Sequence, residues 1–240
     1  MSSNHGVILL MGNPNVGKSV FFTEMTGIHA ISSNFTGTTV NFMEGRYKVG
    51  QEEYTLIDVP GTYSLTPTND AETVAVRFME SGAAAVICVL DASNLERNLC
   101  LALEILQTSV PVIFALNLMD VAERYGITIN IELLAKELGA PVIPTIAVKK
   151  QGLPELVQQL ETLLSSILNP RSPIPDPRSL DIHLQAKEIY SRVTSRKAST
   201  PGFLDKLSRA MLQPMPGIPI AILGIILTMG FVVGFGELLR

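Results

Sequence analysis

Gly12-Asn13-Pro14-Asn15-Val16-Gly17-Lys18-Ser19 fits GxxxxGK[ST] at every position, and that pattern has a definite chemistry. Its glycines let successive backbone N–H groups turn toward an anion, its lysine neutralises phosphate oxygens, and its serine hydroxyl can ligate Mg2+. Asn13, Asn15, Val16, Gly17, Lys18, Ser19 and Val20 are therefore expected to line bound phosphates. Asp58-Val59-Pro60-Gly61 follows the apolar run Tyr54–Ile57. A carboxylate at that point can support the Mg2+ shell, and the Gly61 N–H can meet a γ-phosphate. Asn117-Leu118-Met119-Asp120 follows the run Val110–Leu116. The Asp120 carboxylate can accept from the N1–H and 2-amino group of guanine, donors that adenine lacks, so it selects GTP over ATP. Asn117 can address the purine edge and tie back to the phosphate loop; an Asx turn capping the helix after Asp120 would use the same residues. Leu118 stands where many such motifs carry Lys. In Ile146-Ala147-Val148-Lys149, Ala147 and Val148 are expected to offer a backbone N–H to the guanine O6. Thr39, directly before a strand, is expected to complete the Mg2+ shell when γ-phosphate is present, with Thr38 as the alternative. The residues expected to act in hydrolysis are Lys18, Thr39, Gly61 and Asn15; those expected around Mg2+ are Ser19, Thr39 and Asp58.

These groups need a scaffold that brings distant loops to one edge. Short apolar runs at Val7 to Met11, Tyr54–Ile57, Ala84–Leu90, Val110–Leu116 and Val142–Ile143 alternate with amphipathic patterns. The patterns cover Lys18–Thr26, Ala71–Glu80, Leu95–Gln107, Ile131–Leu138 and Leu153–Leu168. Fully apolar strands between helices indicate a mostly parallel sheet covered on both faces. Val40–Val49 adds an antiparallel edge strand, joined to Tyr54–Ile57 by a turn at Gly50-Gln51-Glu52-Glu53. The expectation is an α/β, three-layer P-loop GTPase fold with a six-stranded sheet over residues 1–168. Pro170, Pro173, Pro175 and Pro177 then make 169–180 a semi-rigid linker. A short helical spacer follows at 181–212, with Ile182, Ala186, Ile189 and Val193 on one face.

No charged residue occurs from Gln213 to Gly236. As a helix, 213–236 would be about 36 Å long, against a hydrocarbon core of about 30 Å. We read it as a transmembrane helix, whose five glycines suit close packing against other helices. Arg196, Lys197, Lys206 and Arg209 precede it, which places the N-terminal domain in the cytoplasm. The net charge of −4 gives no broad basic face for nucleic acid. Cys88 and Cys100 lack CxxC spacing and read as buried, reduced thiols; His5, His29 and His183 are scattered and read as surface residues.

Several runs are more specific than the general motifs. They are the loop ending Gly37-Thr38-Thr39-Val40, Asp58-Val59-Pro60-Gly61-Thr62-Tyr63-Ser64-Leu65, Asp91-Ala92-Ser93-Asn94-Leu95-Glu96-Arg97-Asn98-Leu99, and Leu118. With the phosphate loop, they make residues 5 to 165 resemble the G domain of the FeoB family of ferrous iron transporters, a TrmE-Era-like branch of P-loop GTPases. Asn41 departs from the Glu often found there, and the spacer is short. The resemblance implies a G domain on the cytoplasmic side of a bacterial-type cell membrane. Its partners would be GTP or GDP, transporter membrane helices in the same or a separate chain, and lipid. It further implies Mg2+ and K+ as cofactors, with Asn15 as the K+ ligand. Thr62 occupies the position from which Ras-like enzymes orient water with Gln, so hydrolysis is expected to be slow. Two other readings share the motifs. One is a nucleotide sensor with little turnover; the other is an Era-like GTPase acting on ribosomes or tRNA, which would need a basic appendage.

Overall fold

In a computed structural model, which describes residues 6–27, 31–35, 40–49, 52–108, 110–167 and 181–196 and part of a helix between 218 and 231, the apolar runs form one twisted sheet. In chain order its first members are β1 (Val7–Gly12), β2 (Ile31–Asn34), β3 (Asn41–Val49), β4 (Glu52–Asp58) and β5 (Ala85–Asp91), followed by β6 (Val112–Asn117). After the short strand β7 (Ile127–Ile129), which belongs elsewhere, β8 (Val142–Pro144) completes the sheet. The spatial order is β2-β3-β4-β1-β5-β6-β8. β1, β4, β5, β6 and β8 run parallel, whereas β2 and β3 are antiparallel additions at one edge.

Seven strands form this sheet, where the sequence pattern gave six. The extra one, Ile-Ser-Ser-Asn, carries no apolar alternation because it is an edge strand with nothing to bury. It is held by backbone pairing to β3, and its Ser33 Oγ donates to Glu44 Oε1 at 3.3 Å. Val49 pairs with Glu52, so Glu52 and Glu53 belong to β4 and not to the expected turn.

Alternation along β1 explains the layering. Leu9 and Met11 join one core, with α2 (Asp70–Glu80), α3 (Leu95–Leu106) and α5 (Ile131–Leu138) packed on it. Ile8 and Leu10 join the other, beneath α1 (Lys18–Thr26) and α6 (Leu153–Ile167). Period-two alternation sends successive side chains to opposite faces, and both faces are covered. Helix starts are fixed locally. Asn69 Oδ1 accepts from the Glu72 N–H at 2.9 Å to cap α2, and Asn130 Oδ1 caps α5 through Leu133 N–H at 3.0 Å.

The spacer's first helix, α7 (Ile182–Val193), is capped by Asp181 and buries Ala186, Ile189 and Val193, the face its spacing indicated. These residues join the same core as α3. The chain then enters β9 (Thr194–Arg196), which pairs antiparallel with β7. This two-stranded ribbon has no signature in the sequence, since three residues are too few for a period to show. A short helix, α4 (Met119–Arg124), starts at Met119, so Asp120 lies in its first turn instead of capping it from outside.

Two compact units divide the chain, Met1–Lys197 and Ala198–Arg240. Within the second, Ile218, Ile222, Ile225, Ile226, Met229 and Phe231 are helical and exposed. No helix among the described residues is long and apolar enough to cross a membrane. Most of the segment expected to do so, 213–236, lies outside the described residues. So do the linker 169–180, Thr38, Thr39, His5 and His29.

Candidate functional site

Parallel pairing puts the motif-bearing strand ends along one edge of the sheet. Leu10 lies opposite Asp58, Gly12 opposite Val89, and Asp91 opposite Asn117. Ligands bind at such carboxyl-end crevices because the loops there converge. The phosphate loop leaves β1 and enters α1 through Gly17 at φ 92. A Cβ on Gly17 would lie 2.6 Å from Asn117 Nδ2, so both its conformation and the close approach demand glycine. Asn15 also sits at positive φ, 66°, which asparagine tolerates, and its side chain is exposed at the loop. Val20 N–H turns back to the Gly17 carbonyl at 3.1 Å, closing the first helical turn.

Lys18, Ser19 and Asp58 come together. Ser19 Oγ lies 3.5 Å from Asp58 Oδ2, and the second carboxylate oxygen, Oδ1, is buried without a partner. Burial pulls the Lys18 ammonium below its ordinary pKa against the opposing pull of Asp58. Burial likewise raises the Asp58 carboxyl, partly offset by Lys18 and by the Ser19 hydroxyl. Two ionised groups desolvated this way without full pairing are costly, and such groups are concentrated at functional sites. Asn13 is only 3 % exposed, and neither its amide nitrogen nor its oxygen has a partner. The orphaned Asp58 oxygen beside a serine hydroxyl is a donor set that suits hydrated Mg2+.

The segment from Gly61 through Leu65, which its position after Asp58 marks in sequence as a second switch expected to order on GTP, begins against this loop. A Cβ on Gly61 would meet Pro14 Cα at 2.9 Å, and Thr62 N–H donates to the Gly12 carbonyl at 3.3 Å. Thr62 itself is 2 % exposed, and its hydroxyl donates to the Ser64 carbonyl at 2.7 Å. The side chain is thus consumed by its own turn. Beyond it, Glu104 on α3 grips the loop, accepting from Ser64 Oγ at 2.9 Å and from the Leu65 N–H. Arg97, one helical stretch earlier, covers the Tyr63 ring at 4.0 Å.

At the base side the decisive residue is Asn117, 2 % exposed. Its Nδ2 donates to the Val16 carbonyl at 2.9 Å, while Oδ1 accepts from Thr145 Oγ1 at 3.3 Å and Ala147 N–H at 3.0 Å. One amide therefore ties the phosphate loop to the loop after β8. The Ala147 N–H takes part in this tie, and Val148, 72 % exposed, is the outward residue of that loop. Thr145 had no sequence signal, because its contribution is a single hydroxyl pointing at Asn117. Leu118 adopts φ 61, turning the chain so that Asp120 follows on α4. Asp120 pairs with Lys149 at 3.2 Å, and that hydrogen bond holds its carboxyl below the usual range.

Asn117→Ala should lower the melting temperature of the nucleotide-free protein. Losing three buried hydrogen bonds and stranding their partners costs about 2–4 kcal/mol, or roughly 5–10 °C for a unit of this size. A thermal scan superimposable on the parent would show that the amide does not hold the two loops together.

The family profile described as "Ferrous iron transport protein B" matches residues 6–160. The chain belongs to this family. Curated FeoB relatives from Shigella flexneri and Escherichia coli (strain K12), described as "Fe(2+) transporter FeoB", are 37 % identical. Each alignment covers 79 % of this chain and 28 % of the relative, so the chain spans little more than a quarter of the FeoB length it matches. Among solved structures, the cytosolic domain of L. pneumophila FeoB superimposes with a TM-score of 0.68 at 28 % identity, covering 79 % of this chain and all of that one. The cytosolic domain of the T. maritima FeoB iron transporter in a GDP form gives 0.68 at 26 % identity, covering 80 % and 99 %. FeoB membership removes the basis for an Era-like protein. One sequence reading needs correcting: Cys100 is half-buried, not a core thiol, whereas Cys88 is fully buried and pushed up to about 12 by desolvation.

Proposed function

We propose that this chain binds guanine nucleotide and slowly hydrolyses GTP as the cytoplasmic G domain of a ferrous iron transporter, regulating or driving uptake. The observation that carries this is the convergence of Lys18, Ser19 and Asp58, with an unpartnered Asp58 oxygen, beneath a glycine-turned loop. In this reading Asn13 to Val20 cradle the phosphates, Asp120 and the Ala147–Val148 backbone meet the base, and Gly61 meets the γ-phosphate. Ser19, Asp58 and Thr39 hold Mg2+, which when bound neutralises the β- and γ-phosphate oxygens. Asn15, exposed beside the phosphate path, is the side chain we assign to K+.

Residues 1–168 then form the G domain, 169–180 a linker and 181–212 the spacer, and 213–236 anchors the chain in the cell membrane among transporter helices. The exposed isoleucines of its described part support that role. A second reading, a nucleotide sensor with little turnover, is favoured by the burial of Thr62, which leaves no side chain from this turn to orient water.

Hydrolysis in KCl against NaCl separates the two. With transition-state charge otherwise uncompensated, K+ should accelerate turnover by about tenfold or more, and Asn15→Ala should remove most of the difference. Equal rates in both salts would sink the K+ assignment, and no turnover in either would leave the sensor.

A further inference from the structure

Where α3 and α7 pack together, an open cleft of about 450 Å³ runs along their seam as far as the second switch, lined among others by Tyr63, Glu96, Arg97, Cys100, His183 and Lys187. In it Cys100 Sγ lies 3.3 Å from His183 Nδ1. A weak sulfur–nitrogen hydrogen bond, its direction set by the His183 tautomer, accounts for the contact, but the spacing carries more. In a tetrahedral site with a metal–sulfur bond of about 2.3 Å and a metal–nitrogen bond of about 2.0 Å, sulfur and nitrogen stand about 3.5 Å apart. The pair is therefore within a few tenths of an ångström of a chelating bite with no movement of either helix. His183 is exposed and Cys100 half-buried, so a solvated ion can reach both.

The surrounding charge favours a cation. After burial, the carboxylates of Glu104, Glu96 and Asp181 are what hold the Cys100 thiol above its usual range. A thiol kept protonated is a poor nucleophile, which argues against a redox-active cysteine. The same negative field attracts a divalent ion. Of the two cations lining the cleft, Arg97 is drawn onto the Tyr63 ring, and Lys187 lies one turn beyond His183 on the exposed side of α7. Among the described residues no three His, Cys, Asp or Glu side chains are already gathered into a centre. The remaining positions fall to water, or to Glu96, one turn before Cys100 on α3.

We propose that Cys100 and His183 form a binding site for a thiophilic divalent transition-metal ion, clamping the spacer helix to α3. Binding displaces one proton from the Cys100 thiol to solvent; the sulfur and the neutral Nδ1 each donate a lone pair, and no oxidation occurs. The clamp acts on the helix whose Arg97 and Glu104 hold the second switch, so occupancy of the site and the position of that switch are mechanically connected.

Titrating Co2+ into the nucleotide-free full chain tests this. The expected result is a thiolate-to-Co2+ charge-transfer band that saturates at one equivalent with release of one proton. The chain has two cysteines and Cys88 is fully buried, so the band reports Cys100; oxygen ligands, including any at the Mg2+ position, do not produce it. Cys100→Ser should abolish the band, and His183→Asn should weaken the affinity at least tenfold. Both changes fall on exposed or half-buried positions, and retained circular dichroism would confirm folding. No band from the parent protein at millimolar Co2+, an undiminished band in Cys100→Ser, or an unchanged affinity in His183→Asn would overturn the proposal.

Discussion

Lys18→Ala is expected to weaken GTP and GDP binding by about three orders of magnitude or more while leaving the nucleotide-free fold intact. The ammonium sits beside Asp58 in a largely buried position, and its charge is the one that the loop offers to phosphate. Hydrogen bonds to charged groups contribute roughly 1.5–3 kcal/mol each, and a lysine bridging two phosphates makes two of them. Folding should not suffer in proportion. Burial lowers the folded-state pKa of Lys18, so its stabilising contribution is complete only above the unfolded value and is lost as pH falls through the folded one. At neutral pH the charged, half-paired lysine costs the empty protein stability. Asp58 has the opposite sign, because its folded pKa is raised: its contribution is full below the unfolded value and lost as pH rises through the folded one. Both groups are thus uncomfortable near neutrality until a ligand pairs them. Calorimetric titration with nucleotide and a thermal scan without it check the two halves. Near-normal affinity in a well-folded variant would defeat the phosphate-loop assignment.

Asp120→Asn should shift preference from guanine to xanthine nucleotides by a factor on the order of 10³. The carboxylate accepts from two donors on guanine; an amide presents a donor to the 2-amino group instead but can bond the 2-oxo group of xanthine. Sites built around matched polar contacts discriminate steeply because a mismatch leaves groups unpaired. The substitution also removes the ion pair with Lys149 at 3.2 Å. Lys149 is mostly exposed and Asp120 partly so, so little stability follows from that loss. Competition between GTP and XTP for the variant measures the effect, and unchanged GTP affinity would take Asp120 out of the base site.

What the sequence disclosed about this site follows from how local each interaction is. Gly17, Lys18 and Ser19 do their work within a few residues of one another, so their types and spacing carry the information. The strands that aim Asp58 and Asn117 announce themselves through continuous apolar runs, because both faces of a parallel sheet are buried. Asn117 was legible both as a motif member and as a tie to the phosphate loop, but its other partners, Thr145 and Ala147, were not, since they are chosen by the fold. β2 and β9 escaped because backbone pairing at an edge needs no particular side chains. The meeting of Cys100 with His183 depends on α7 returning across α3, a matter of packing that no local window contains. Thr39 and the segment 213–236 rest on sequence alone.

Glu104 biases an equilibrium of the second switch. Its carboxylate holds Ser64 and Leu65 in one place, so the second switch has a preferred position. A nucleotide indifferent to that loop binds with its intrinsic affinity. One that requires the loop elsewhere binds only the released fraction of molecules, and its apparent affinity is reduced by that fraction. Every tenfold bias toward the gripped position therefore weakens a triphosphate that must recruit the switch by tenfold and leaves a diphosphate that ignores it unaffected. On this reasoning a single carboxylate outside the nucleotide site would set the resting population from which exchange begins.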